Sequence, residues 1–174
     1  MGAGKTTLGR QLARSLGFMF LDSDHEIEKR TGASIPWIFD IEGEEGFRRR
    51  ESAMLDELTQ RSHIVLATGG GAVLEPANRM RLRDRGVVVY LFADIEKLAA
   101  RAGKDSNRPL LANVDPRQRL TELMAVREPL YREVADLVVD TGARPLRSTI
   151  ARLAKELRPM LGAPEAATID PDDD

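Results

Sequence analysis

The chain opens on Met1-Gly2-Ala3-Gly4-Lys5-Thr6-Thr7, and a helical run from Thr7 to Leu16 follows without a gap. No other feature restricts the possible folds as strongly. Glycines beside a Gly-Lys-Thr allow a tight turn whose backbone N–H groups converge on phosphate oxygens. Lys5 supplies a point charge for the β- and γ-phosphates, and the Thr6 hydroxyl suits Mg²⁺. The helix presents its positive dipole end to the same anion. The pattern reads as nucleoside triphosphate binding. Its full form, G-x-x-x-x-G-K-[ST], also calls for a glycine five residues before Gly4 and a buried strand before that.

A length of 174 residues suits one domain with a real core. Apolar content of 42% with 31% charged residues is ordinary for a globular protein. No apolar run reaches membrane-spanning length, and nothing reads as a secretory leader. With no cysteine there are no disulfides or thiolate metal sites, which suits the cytoplasm. A net charge of −2 gives no reason to expect nucleic acid or an anionic membrane as partner.

Helical and strand patterns alternate, the mark of an α/β domain with a parallel sheet. Strands are expected at Phe18–Leu21, Ile64–Ala67, Val87–Phe92 and Leu137–Val139. Ser34 caps a short helix, and Gly43 precedes a longer one with Phe47, Met54, Leu55 and Leu58 on one face. Helices are also expected from Pro76 to Arg85 and from about Ile95 to Ala102. The last helix carries Leu146, Ile150, Leu153 and Leu157 on one stripe. From Pro159 the pattern stops, and the acidic, apolar-poor stretch 159–174 reads as a disordered tail.

Four groups of residues carry the candidate chemistry. Besides the loop, Leu21-Asp22-Ser23-Asp24 sets two carboxylates at the C-terminal end of a strand, where ligands of open parallel sheets bind. Extended alternation would put Asp22 and Asp24 on one side, one for Mg²⁺ and one for an attacking hydroxyl. Either alone is more simply a helix cap. Gly69-Gly70-Gly71 lets backbone approach a ligand closely, or forms an ordinary flexible turn. Among the arginines Arg48, Arg101, Arg108, Arg127 and Arg144, any one is most simply a solvated helix residue. Arg108 differs, because it lies in the polar segment 103–109, a place for a mobile lid. His25 reads as helix surface, His63 as a strand-entry residue, and Trp37 and Tyr131 as packing.

Taken together in order, these segments resemble shikimate kinase. The matching stretches are Gly-Ala-Gly-Lys-Thr-Thr-x-Gly-Arg at 2–10, Leu-Asp-Ser-Asp at 21–24 and Thr-Gly-x-Ser-Ile at 31–35. Ile-Phe at 38–39, Gly-Glu-x-x-Phe-Arg at 43–48 and Gly-Gly-Gly at 69–71 come next. Asn-Arg-Pro-Leu-Leu at 107–111 and Arg-x-Pro-Leu-Tyr at 127–131 complete the series.

The resemblance implies a three-layer α/β/α P-loop kinase fold over residues 1–158, with a lid at about 103–115 and the first strand absent. It implies ATP-dependent phosphorylation of the shikimate 3-hydroxyl, on the way to chorismate and the aromatic amino acids; the small chain and compact set of motifs favour a monomer. By the same resemblance Gly2, Ala3, Gly4, Lys5, Thr6 and Thr7 hold ATP, while Thr6 and Asp22 organise Mg²⁺. Asp24 positions the hydroxyl and takes its proton, with Lys5 and Arg108 as the other catalytic groups. Arg48 and Arg127 grip the substrate carboxylate, while Gly69, Gly70 and Gly71 approach the substrate with backbone groups. Arg101, Arg108 and Arg144 complete the ATP site.

A gluconate-type kinase of the same architecture, or a catalytically dead binding domain, are the competing readings. In this family the loop often reads Gly-x-Met-Gly-x-Gly-Lys, so Met1 coincides with an internal methionine. The expectation is that translation starts upstream and that residues 1–174 alone are marginally stable.

Overall fold

Helices and parallel strands alternate from Lys5 to Met160 in the computed structural model of the protein, which describes residues 3–102 and 115–162. Helix α1 (Lys5–Leu16) is bounded at both ends by glycines in the left-handed region, Gly4 at φ 84° and Gly17 at φ 72°. Strand β1 (Met19–Asp22) leads directly into α2 (Ser23–Thr31). The two helices expected around Gly43 are both present within α3 (Ile35–Leu58), divided where Gly43 leaves the helical backbone at φ 70° and ψ −180°. Ser34 accepts from the Trp37 N–H at its start. Trp37 itself is 53% exposed and does not pack as expected.

Strand β2 (Ile64–Ala67) ends at the glycine triplet, and a 3₁₀ turn (Ala72–Leu74) and α4 (Pro76–Arg85) follow. Beyond them come β3 (Val89–Phe92), α5 (Ile95–Ala102), α6 (Pro116–Val134), β4 (Leu137–Asp140) and α7 (Leu146–Met160). Helix α7 runs through Pro159, two residues past the domain end expected from the sequence.

Strand β1 pairs with β2 in parallel, Leu21 opposite Leu66, and β3 pairs with β4 in parallel, Leu91 opposite Val139. The expected parallel sheet is therefore present as two parallel pairs. Helices α1 and α7 cover one face, where Leu8, Leu12, Ile150, Leu153 and Leu157 pack on Val139, Val65 and Val89. On the other face Ile27, Ile38, Phe47, Met54 and Leu58 pack against Leu21, Ile64 and Leu66. The result is a three-layer α/β arrangement. Between β2 and β3 lies a cavity of about 500 Å³.

Candidate active site

The N-terminus of α1 meets the C-terminal ends of β1 and β2, so this edge of the sheet collects the polar side chains. Gly4 has the backbone that only glycine adopts without strain, and its carbonyl accepts from the Leu8 N–H at 2.9 Å. Lys5 is thereby the first residue of α1, half-buried, with Thr6 and Thr7 exposed beside it. Ala3 is buried against Ala93, Leu98 and Leu120. Gly2 lies outside the described residues.

The two aspartates converge, but not for the reason expected. Strand β1 stops at Asp22, and Asp24 is already in the first turn of α2. Asp22 Oδ1 caps that helix by accepting from the Asp24 N–H at 3.1 Å. Asp22 Oδ2 meanwhile accepts from the Thr6 hydroxyl at 3.2 Å. Asp22 is thus both the helix cap and the neighbour of the phosphate loop.

Asp24 is the most perturbed carboxyl of the site. Burial pushes its pKa up to about 6; the nearby Asp22 and Glu51 carboxylates add to this, and Lys5 and Arg48 oppose it. Its Oδ1 is buried without a hydrogen-bond partner among the described residues. A buried acceptor left unsatisfied in this way is costly, and one at a cleft is ready for an incoming hydroxyl.

Facing Asp24 is a cluster centred on Glu51, a residue not singled out in the sequence. Glu51 is 1% exposed, and its Oε2 accepts from Arg48 Nη1 at 2.6 Å. Arg48 Nη2 donates to Glu44 Oε1 at 2.9 Å. Burial raises the Glu51 pKa, against the pull of Arg48 and Arg127. Arg127 comes from α6 and is itself buried, at 5% exposed. Tyr131, one turn further along α6, donates to the Gly70 carbonyl and stacks on Tyr90 at 5.0 Å. It packs as expected, and its hydroxyl also ties α6 to the glycine triplet.

The three glycines are where these side chains need room. A Cβ on Gly69 would overlap Glu51 Oε1 and come to 3.0 Å of Asp24 Oδ1. One on Gly71 would overlap the Arg48 guanidinium. At Gly70 the nearest atoms would be the Tyr131 hydroxyl at 3.3 Å and Arg127 Nη1 at 3.6 Å. The triplet is therefore more than a flexible turn.

Donor chemistry decides whether these residues suit Mg²⁺. Among the described residues, no three His, Cys, Asp or Glu side chains gather as a metal cage. Thr6 and Asp22 instead offer two adjacent hard oxygens beside the phosphate loop. That fits a cation whose remaining ligands are water and phosphate oxygens.

Arg144 is exposed in the turn between β4 and α7. Arg101 falls in α5, with its side chain outside the described ones. Arg108 and most of the expected lid lie outside the described residues. No helix of the described residues is long and apolar enough to cross a membrane.

The fold, with its glycine–lysine–threonine loop at the edge of a parallel sheet, places the chain among the P-loop phosphotransferases. Residues 1–158 match the family model described as shikimate kinase. The shikimate kinase of Bordetella pertussis is 61% identical over 165 residues, covering 95% of this chain and 76% of that protein. That of Halorhodospira halophila is 58% identical over 158 residues, covering 91% and 89%. A solved shikimate kinase from Acinetobacter baumannii in complex with shikimate superposes with a TM-score of 0.86 at 52% identity, covering 93% of this chain and 89% of that one. One from Bacteroides thetaiotaomicron gives a TM-score of 0.82 at 31% identity, covering 93% and 94%. The chain belongs to the shikimate kinase family.

Proposed function

We propose that the chain transfers the γ-phosphoryl group of ATP to the 3-hydroxyl of shikimate, with Asp24 receiving the hydroxyl proton, and gives shikimate 3-phosphate and ADP. The observation that carries this reading is the buried Asp24 carboxyl, with a raised pKa and an unpartnered Oδ1. It lies between the phosphate loop and the arginine cluster. A base with a pKa near the working pH can take a proton as the new O–P bond forms and the γ-phosphate–ADP bond breaks.

The loop from Gly2 to Thr7 cradles the phosphates, and Lys5 neutralises charge on the transferring group. Thr6 and Asp22 would hold Mg²⁺, which when bound offsets phosphate charge. Arg48 and Arg127 converge from α3 and α6 on the glycine triplet, where they take the shikimate carboxylate with their planar forks. The backbone of Gly69, Gly70 and Gly71 lies against the same substrate. Arg108 acts on the transferring phosphoryl group, and Arg101 and Arg144 flank adenine. The enzyme works as a cytoplasmic monomer of residues 1–158, with a lid at about 103–115 and an acidic tail, in the route to chorismate.

A coupled assay of ADP release with shikimate and gluconate offered separately tests the reading. Turnover is expected with shikimate alone and is abolished in Asp24→Asn, which still binds ATP. Equal turnover of gluconate, or near-normal kcat in Asp24→Asn, would overturn it.

A further inference from the structure

The turn that follows the glycine triplet cannot satisfy its own backbone. A 3₁₀ turn as short as Ala72–Leu74 leaves its last carbonyls without donors of its own. The chain just ahead offers no easy replacement. Pro76, the fourth residue after Ala72 and the third after Val73, has no N–H to give. Ala72 and Val73 are buried, so bulk water is kept from them. Two consecutive side chains of α4 take all three carbonyls instead. Asn78 Nδ2 donates to that of Ala72 at 3.1 Å. Arg79 Nη1 donates to those of Val73 and Leu74 at 2.8 and 3.3 Å.

Both side chains also reach outward. Asn78 is 1% exposed, and its Oδ1 accepts from the Ser52 hydroxyl at 2.8 Å and from Arg81 Nη1 at 3.0 Å. A guanidinium only donates and a carbonyl only accepts, so these contacts fix which way the amide points. Ser52 follows Glu51 in α3, and Arg81 is tied to the same helix through Asp56 at 3.0 Å. Arg79 Nε meanwhile pairs with Glu133 at 3.4 Å, on the helix α6 that carries Arg127 and Tyr131. The start of α4 thus joins the exit of the glycine triplet to both helices that bear the arginines of the cluster.

The turn in its turn holds the glycines. The Ala72 N–H donates to the Gly69 carbonyl at 3.2 Å, and the Leu74 N–H to the Gly71 carbonyl at 2.9 Å. Gly71 lies so close to the Arg48 guanidinium that a methyl does not fit, and Gly70 lies against Tyr131 and Arg127. Packing this tight transmits displacement, so a shift of the turn reaches both arginines. Fastening α4 to α3 would not by itself require Asn78, because Arg81 and Arg85 already bind Asp56. What Asn78 adds is the donor to the turn.

We propose that Asn78 and Arg79 are positioning residues for the substrate carboxylate, bracketing the 3₁₀ turn so that the glycine triplet stays in register with Arg48 and Arg127. The inference rests on the reading of that cluster as the carboxylate site.

Three single variants of the full 174-residue chain test it. Asn78→Asp keeps the size and the acceptor toward Ser52 and Arg81 but has no N–H for Ala72. Arg79→Lys keeps a charge for Glu133 but replaces the planar fork with a single ammonium. Arg85→Gln is the control, since Arg85 bonds Asp56 and Thr59 at the other end of α4. Asn78→Asp is expected to raise the shikimate KM about tenfold and Arg79→Lys about three- to tenfold, with the ATP KM unchanged and kcat within about twofold. Arg85→Gln is expected to lower the melting temperature and leave both KM values unchanged. A merely structural role would lower the melting temperature without separating the two KM values. Should Asn78→Asp not fold, Arg79→Lys decides. Amide exchange at Ala72 and Leu74 is expected to quicken at least about tenfold in Asn78→Asp and to stay unchanged in Arg85→Gln. A shikimate KM within about twofold of the parent in the folded variants, equal rises in both KM values, or the same rise in Arg85→Gln would each overturn the proposal. A parent chain that releases no ADP with shikimate would overturn the proposed reaction instead, and the exchange comparison would still decide the bracket.

Discussion

Arg48 Nη1 donates to Glu51 Oε2 across 2.6 Å, with the Glu51 side chain 1% exposed and that of Arg48 19% exposed. The pair fixes from beneath one of the two guanidinium forks proposed to hold the substrate carboxylate. Its partner Glu44 is half-exposed, so Glu51 carries most of the orientation.

Glu51→Ala leaves Arg48 without its buried partner and is expected to destabilise the fold by about 3–5 kcal/mol. Glu51→Gln keeps the shape and one acceptor. It is expected to raise the shikimate KM about tenfold with the ATP KM unchanged, a loss of roughly 1.4 kcal/mol in binding. Urea unfolding and steady-state kinetics measure both. Unchanged stability in Glu51→Ala would show that the pair does not hold Arg48 in place.

The glycine triplet gives a ranked expectation. Gly71→Ala drives a methyl into the Arg48 guanidinium, and Gly69→Ala drives one into Glu51. Both are expected to lower kcat/KM for shikimate by about 10²-fold, the scale reached when reacting groups are displaced by an ångström. At Gly70 the nearest atom is the Tyr131 hydroxyl at 3.3 Å, so Gly70→Ala requires only a small shift. Its effect is expected to stay within about tenfold. Kinetics with each single variant test the ranking, and a Gly70→Ala loss as large as the others would contradict it.

These contacts mark the limit of what residue patterns convey. The strands Ile64–Ala67 and Leu137–Asp140 were readable because short apolar runs bounded by turns have few alternatives. Asp22, Asp24, Arg48, Arg127 and the glycines were readable as one family pattern. Glu51 was not, because at i,i+3 from Arg48 in an acid-rich helix it looks like half of a solvated ion pair. Its burial, with Oε1 beside Gly69, is a tertiary contact that spacing does not reveal. Helix α6 was obscured by Pro129 in its interior, which on sequence grounds argues for a break. The role of Tyr131 rests on a carbonyl 61 residues away. Local periodicity carries no trace of such a contact.

The two oxygens of Asp22 separate its roles. Oδ1 caps α2 and Oδ2 faces Thr6. Asp22→Asn keeps an acceptor for the cap but removes charge, so it is expected to raise the apparent Mg²⁺ requirement about tenfold with stability unchanged. Asp22→Ala loses both, and a further stability loss of about 1 kcal/mol is expected from the missing cap. Mg²⁺ titrations of turnover and thermal unfolding of both variants distinguish the two roles. Equal destabilisation by the two substitutions would show that charge, not capping, holds the helix start.

Asp24 connects stability, pH and turnover. Its pKa is raised to about 6 in the folded protein, chiefly by burial, from an ordinary carboxylate value of 3.8. The native state therefore binds more protons than the unfolded chain between those values, and this group's contribution to stability falls as pH rises through that window. Above it, the ionised carboxylate imposes its full penalty. Asp24→Asn removes that charge and is expected to stabilise the protein by about 1–3 kcal/mol near pH 8, with the gain vanishing near pH 4. Turnover should respond in the opposite sense. In the parent, kcat/KM is expected to fall about tenfold per unit as pH drops below about 6, because the protonated acid cannot accept the hydroxyl proton. Chemical denaturation from about pH 4 to 8, run beside pH-rate profiles, checks both limbs. A stability gain in Asp24→Asn that does not vary with pH would show that the carboxyl is not held against ionisation by its surroundings.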